Sequence, residues 1–236
     1  MIATKQPSPR ANASLSLPLS RFVLLLLLSA LSAFASPTQE HVILLHGLCR
    51  TSHSMQKMER ALTDAGYQVW NVDYPSRTAN IANLSDKVLV PAIRDCDTAG
   101  DTRIHFVGHS LGGILIRDYL ARHSLANAGH VVMLGPPNQG SEVVDKIGSW
   151  WLFKKINGPA GCELGTNPDS APNQIGPPNM TVGVIAGKLS INWINSLMIP
   201  GSDDGKVSVA RTELTGMADH LTLCTAHPFL MKNATH

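Results

Sequence analysis

Charge is scarce in this chain of 236 residues. Charged side chains make up 15% of it, against roughly 25% in an average soluble domain. With 44% hydrophobic residues, it is too apolar and too weakly charged for a disordered protein. A basic surplus is also missing: 19 Lys and Arg face 17 Asp and Glu, so nothing favours nucleic acid as a partner. Asp and Glu are absent from the first 39 residues, which hold Lys5, Arg10 and Arg21; without these three the remaining charges cancel to within one. No apolar run reaches the roughly 20 residues that a membrane-spanning helix needs. The four cysteines, Cys49, Cys96, Cys162 and Cys224, stand 47, 66 and 62 residues apart, which matches no zinc pattern. Internal repeats and interdomain linkers are missing too, and no charged or coiled-coil surface suggests a folding factor for other proteins.

The N-terminus reads as a targeting segment. Arg21 is followed by the uncharged run Phe22 to Ala35, and Ala33-Phe34-Ala35 supplies the small-x-small pattern of a signal-peptidase site. Residues 1–35 are therefore expected to be a signal peptide, cleaved after Ala35, with export to the periplasm or the medium. The Ser- and Pro-rich stretch before Arg21 leaves a transit peptide or an uncleaved membrane anchor open. Export would place the cysteines in an oxidising compartment, where four permit three complete pairings. The alternative reading is that some are simply small buried apolar residues.

From residue 36 to 236 the periodicity alternates strands and helices. His41–His46 is a continuous apolar run, as expected of a strand buried on both faces. Ser52–Ala65 places Met55, Met58, Leu62 and Ala65 on one helical face, and Gly66 suits its end. Tyr67–Val72 reads as a strand, and Asn83–Cys96 as a helix that Pro91 should kink or restart. Arg103–Val107 is a strand, Leu111–Arg122 an apolar helix, His130–Leu134 a strand and Glu142–Ile156 a helix. Asn157–Pro178 is rich in Gly, Pro and Asn and reads as loop. Met180–Ala186 and His220–Leu223 complete the strands. Strands separated by single helices predict one α/β domain, a mostly parallel sheet with helices on both faces. In that arrangement Cys96 ends a helix returning to the edge opposite the other three cysteines, so any disulfide should join two of those three.

Gly108-His109-Ser110-Leu111-Gly112-Gly113 sits where a strand passes into the apolar helix. There, G-x-S-x-G forms a sharp turn that lifts Ser110 clear of the sheet, and the helix N-terminus faces a developing anion. A serine hydroxyl needs a neighbouring base to remove its proton, and the base needs an acceptor to fix its tautomer. Both should come from loops at the C-terminal edge of the sheet. His227, a few residues after the last strand and ahead of a short terminal helix, fits the base. His220 begins that strand, at the far end; His109 lies within the turn; His46 closes the first strand. The backbone N–H of Leu111 is placed to stabilise an oxyanion.

Together, His46-Gly47-Leu48, Gly108–Gly113, Gly135-Pro-Pro-Asn-Gln-Gly-Ser141, Ser202-Asp-Asp-Gly-Lys-Val-Ser208 and His227-Pro-Phe-Leu230 resemble the α/β-hydrolase superfamily, in its lipase-like branch of exported bacterial serine hydrolases. The resemblance runs from about His41 to Met231. It implies an α/β-hydrolase fold and an ester or lipid substrate cleaved through an acyl-enzyme without a cofactor or metal. It also implies a catalytic acid at Asp204, with neighbouring Asp203 as the alternative, and a second oxyanion donor in the N–H of Leu48. Residues 141–178 fall where lipases carry a cap or lid. Ile147–Phe153, apolar nearly all round and followed by Lys154-Lys155, reads either as a lipid-facing cover touching membrane surfaces or as a helix buried against the core. An acyltransferase with the same triad and a non-catalytic binding protein on the same scaffold remain the alternatives.

Overall fold

The computed structural model describes residues 40–97 and 102–232; the expected signal peptide lies outside them. Six strands form one sheet: β1 (His41–Leu45), β2 (Gln68–Val72), β3 (Ile104–His109), β4 (Ala128–Leu134), β5 (Val182–Gly187) and β6 (Asp219–Leu223). Their order is β2-β1-β3-β4-β5-β6 and every pairing is parallel. Parallel neighbours require crossovers, and the helices that make them cover both faces. Against one face pack α2 (Ile81–Cys96) and α3 (Leu111–Arg122), through Leu84, Leu89, Ile114 and Leu115 against Ile43, Leu45 and Phe106. On the other face, Val42, Leu44, Val107 and Leu134 meet Met58 and Leu62 of α1 (Gln56–Asp64). Leu230 and Met231 of a closing 3-10 turn (His227–Lys232) complete that cluster.

This topology decides where a site can form. From β1 the chain runs outward to β2, then crosses over to β3 on the other side of β1. The loops after β1 and β3 therefore diverge and leave a crevice at the C-terminal edge, the usual ligand position in an open parallel sheet. Gly47-Leu48 and Ser110 follow those two strands.

Several elements differ from the sequence expectation. Instead of restarting at Pro91, the helix runs continuously from Ile81 to Cys96. The helix expected over Glu142–Ile156 is two: α4 (Glu142–Ile147) and α5 (Trp151–Cys162), separated by Gly148-Ser149-Trp150, with Trp150 extended at the N-cap. The stretch read as loop from Asn157 holds the rest of α5 and the short α6 (Ala171–Gln174). Gly158 breaks α5 with φ 67°, where the chain crosses the Arg77 carbonyl closely enough that a Cβ would meet the Arg77 carbonyl carbon at 2.8 Å. Only glycine fits that crossing. Trp150, Trp151 and Leu152 are 62%, 71% and 49% exposed, which overturns the reading of this segment as a helix buried against the core. Two short helices, α7 (Trp193–Ser196) and α8 (Val209–Thr212), were not anticipated, and Trp193 and Leu197 are likewise exposed. All four cysteines are free thiols, with Cys96 buried.

Candidate active site

Ser110 stands between β3 and α3 with φ 53° and ψ −119°. That left-handed backbone is strained for a serine, and its surroundings hold it there. The Ser110 N–H donates to the Leu134 carbonyl at 2.9 Å and the Ser110 carbonyl accepts from Gly113 N–H at 3.0 Å. The flanking glycines allow the tight packing of the turn: a Cβ on Gly108 would lie 2.6 Å from the Gly112 carbonyl carbon, and one on Gly112 would lie 2.7 Å from the His46 carbonyl oxygen. Ser110 opens into a cavity of about 360 Å³ whose lining includes Val143, Val144, Phe153, Ile156, Leu164 and Val207. His227 lines the same cavity.

Asp204 and His227 are locked together. The His227 Nδ1–H donates to Asp204 Oδ2 at 2.7 Å, and the His227 backbone N–H donates to the Asp204 carbonyl at 2.9 Å. Both residues are buried, Asp204 to 1% and His227 to 6% exposure. With Nδ1 committed to a carboxylate, which can only accept, Nε2 is left as the imidazole's acceptor. The other oxygen of Asp204 accepts the N–H groups of Lys206 and Val207 at 3.0 and 2.9 Å, so the loop fixes the carboxylate on both sides. Asp203 faces elsewhere: its Oδ1 accepts from Gly205 N–H at 2.7 Å and Ser196 Oγ–H at 2.8 Å. The geometry thus pairs Asp204, and not Asp203, with the imidazole.

The two backbone donors named from the sequence border the same crevice. Leu111 is the first residue of α3, so its N–H has no intrahelical acceptor. The Leu48 N–H donates to no group among the described residues. The turn carrying Leu48 is braced by His46, whose Nδ1–H bonds the Gly47 carbonyl at 2.9 Å. His46 also stacks on Tyr74 with ring centroids 4.1 Å apart. The Tyr74 hydroxyl in turn donates to the His46 carbonyl at 2.6 Å. Burial pushes the His46 imidazole below its ordinary pKa.

The two other histidines weighed as the base, His220 and His109, fall where the strand order puts them. His220, near the start of β6, bonds Thr212 Oγ1 at 2.9 Å. His109 is 2% exposed and donates from Nε2 to the His227 carbonyl at 3.0 Å, with the two rings 4.8 Å apart. Burial, reinforced by neighbouring His227, holds His109 well below the ordinary histidine pKa. His109 is therefore a neutral strut beneath His227.

Sequence reasoning missed the supports of this edge. Arg117, buried within α3, donates to the Asn138 carbonyl at 2.9 Å and to the Ile175 carbonyl; burial brings its pKa down to about 10. Asn138 reaches on to the Thr212 carbonyl at 2.8 Å. The Ser141 hydroxyl donates to the Lys206 carbonyl at 2.8 Å, and Glu142 accepts from Ser208 and Arg211 at 3.2 and 3.3 Å. The one sequence signal was Arg117 in the middle of a mostly apolar helix, since a buried guanidinium requires carbonyl or carboxylate partners.

Comparison with known proteins agrees with this architecture. The alpha/beta hydrolase family profile matches residues 42–220, and the chain belongs to that family. The match ends before His227. Among solved structures, the mature form of a Bacillus licheniformis lipase superposes with a TM-score of 0.68 at 19% identity, covering 84% of this chain and 88% of that one. A metagenomic carboxyl esterase gives 0.61 at 16% identity, over 81% and 65% of the two chains. Phospholipase PlaB from Legionella pneumophila gives 0.55 at 19% identity, over 74% of this chain and 45% of that one. At such identities the likeness is one of fold. No curated protein sequence matches the chain.

Proposed function

We propose that this α/β hydrolase is a serine carboxylic ester hydrolase of lipase or esterase type, acting through an acyl-enzyme on Ser110. The observation that carries the reading is the buried Asp204–His227 pair, 2.7 Å apart, at a cavity that also holds a strained serine at a strand-to-helix turn. In the proposed cycle His227 Nε2 takes the Ser110 proton as Oγ attacks the ester carbonyl. Asp204 holds the tautomer and stabilises the imidazolium. The N–H groups of Leu48 and Leu111 receive the oxyanion, and His227 returns the proton to the departing alcohol. Water repeats the sequence on the acyl-enzyme and frees the acid. Two such donors matter because loss of one costs about 3 kcal/mol of transition-state stabilisation.

The apolar lining of the cavity suits the acyl chain, and α5, with its exposed tryptophans, suits a cap within residues 141–178 that touches lipid surfaces transiently. Among the described residues no helix is long and apolar enough to cross a membrane. We further propose export after cleavage behind Ala35; N-terminal sequencing of the exported protein should begin at Ser36.

The test of the activity is a panel of p-nitrophenyl esters from short to long acyl chains. Wild-type protein should hydrolyse part of the series, and Ser110→Ala should lose at least about a thousandfold in kcat. Equal hydrolysis by the two proteins would overturn the reading.

A further inference from the structure

Beside the serine cavity lies a second, larger cleft of about 750 Å³, and Cys49 and Arg50 line both. Its walls come from the turn after β1, from α1 and from the closing 3-10 turn. Arg50, His53, Lys57, Arg60 and Lys232 face it, and among the described residues no carboxylate lines it. Lys57 and Arg60 stand three apart on α1, which sets them on one helical face. Glu59, between them in sequence, is turned away to the Asn71 amide at 2.7 Å. Among the described residues none of Arg50, Lys57, Arg60 and Lys232 enters an ion pair. A nearly neutral chain has thus gathered four cationic side chains around one concave surface. Such a concentration of one sign attracts and holds anions.

We infer that this cleft binds the phosphate, or a like anion, on the alcohol side of the ester. The acyl chain enters the neighbouring apolar cavity and the scissile bond lies at Ser110 in its wall, with Cys49 and Arg50, which line both pockets, leading on to the cleft. The position of the bond rests on the hydrolase reading above; the affinity for anions does not. The substrate class is an acyl ester of a phosphate-bearing alcohol, supplied either as a free molecule or as a lipid head group in a membrane.

The experiment compares hexanoylglycerol 3-phosphate with hexanoylglycerol, which share the acyl chain and differ in charge. Binding to Ser110→Ala is measured by calorimetry and turnover by the wild-type chain is measured in parallel. The phosphate ester should bind Ser110→Ala at least about tenfold more tightly. That preference should collapse when Lys57→Glu and Arg60→Glu are added, and when salt is raised from about 50 to about 500 mM. Should the charge-reversed protein fail to fold, the salt series on Ser110→Ala decides alone. A parallel sedimentation with phosphatidylglycerol and phosphatidylcholine vesicles separates the sources. Preference among dissolved esters marks a free substrate; preference only for the anionic vesicles marks a lipid head group. Absence of any charge preference in both arms, or a preference indifferent to charge reversal and salt, would overturn the inference. Tight binding of the phosphate ester with no turnover of either ester by wild type would sink the hydrolase reading and leave the anion cleft standing.

Discussion

The loop that carries Asp204 and the helix α5 border the same cavity and are held in opposite ways. Around Asp204 nearly every polar atom is occupied. Asp203 and Asp204 bind the N–H groups of the three residues that follow them, and Ser141, Ser196 and His227 fasten the loop from outside. Among the described residues, the hydrogen bonds that tie helix α5 to other segments begin at its middle, where Arg77 bonds the Ile156 carbonyl at 3.3 Å and Ala160 N–H bonds the Ala79 carbonyl at 3.2 Å. Its first turn presents Trp150, Trp151 and Leu152 to solvent. The difference separates two duties. Proton transfer requires atoms fixed to within fractions of an ångström, whereas an acyl chain needs only an apolar wall that can adjust.

If that separation is real, substitutions in the two regions should differ in kind. The largest effect should come from Asp204→Asn, lowering kcat by about a thousandfold to ten-thousandfold with the fold intact. Asp203→Asn, one residue away, should cost less than about tenfold and act mainly on stability; comparable losses in both would break the distinction. Arg117→Met should lower unfolding free energy by about 2–3 kcal/mol, because the Asn138 and Ile175 carbonyls lose a charged donor. A urea melt reads that change.

A smaller effect concerns pH. His46 and His109 are both held by burial below the ordinary histidine pKa, so on acidification the unfolded chain binds protons that the folded chain refuses. Their contribution to stability is complete above about pH 6.5 and is lost as pH falls below it. The urea midpoint should therefore drop between pH 7.5 and 5, and less steeply in His109→Gln; an equally steep drop would show that His109 is not a neutral strut. The smallest effect should come from Trp151→Ala, under about 1 kcal/mol in stability, with KM rising for long-chain esters and not for short ones.

The same contrast explains what could be read in advance. Strands such as Val42–Leu45 and Ile104–Val107 are buried on both faces and therefore appear as unbroken apolar runs. The G-x-S-x-G turn announced itself by lying between such a run and an apolar helix. Asp204 and His227 could be named from loop position and resemblance, but the choice over Asp203 depended on where two adjacent side chains point, which spacing does not encode. The division of the expected helix at Gly148–Trp150 was hidden because the apolar character continues across it. The break at Gly158 depends on the Arg77 carbonyl, some eighty residues earlier in the chain. The Arg117–Asn138 contact likewise joins segments that only the sheet brings together.

The central claim is that the hydroxyl of Ser110, and no other, is activated by the imidazole of His227. It is tested most directly by treating the folded protein with a fluorophosphonate and locating the adduct by mass spectrometry. The account predicts a single phosphonylated peptide bearing Ser110, lost in Ser110→Ala and strongly slowed in His227→Ala. An unlabelled protein, or an adduct that forms equally well without His227, would contradict it.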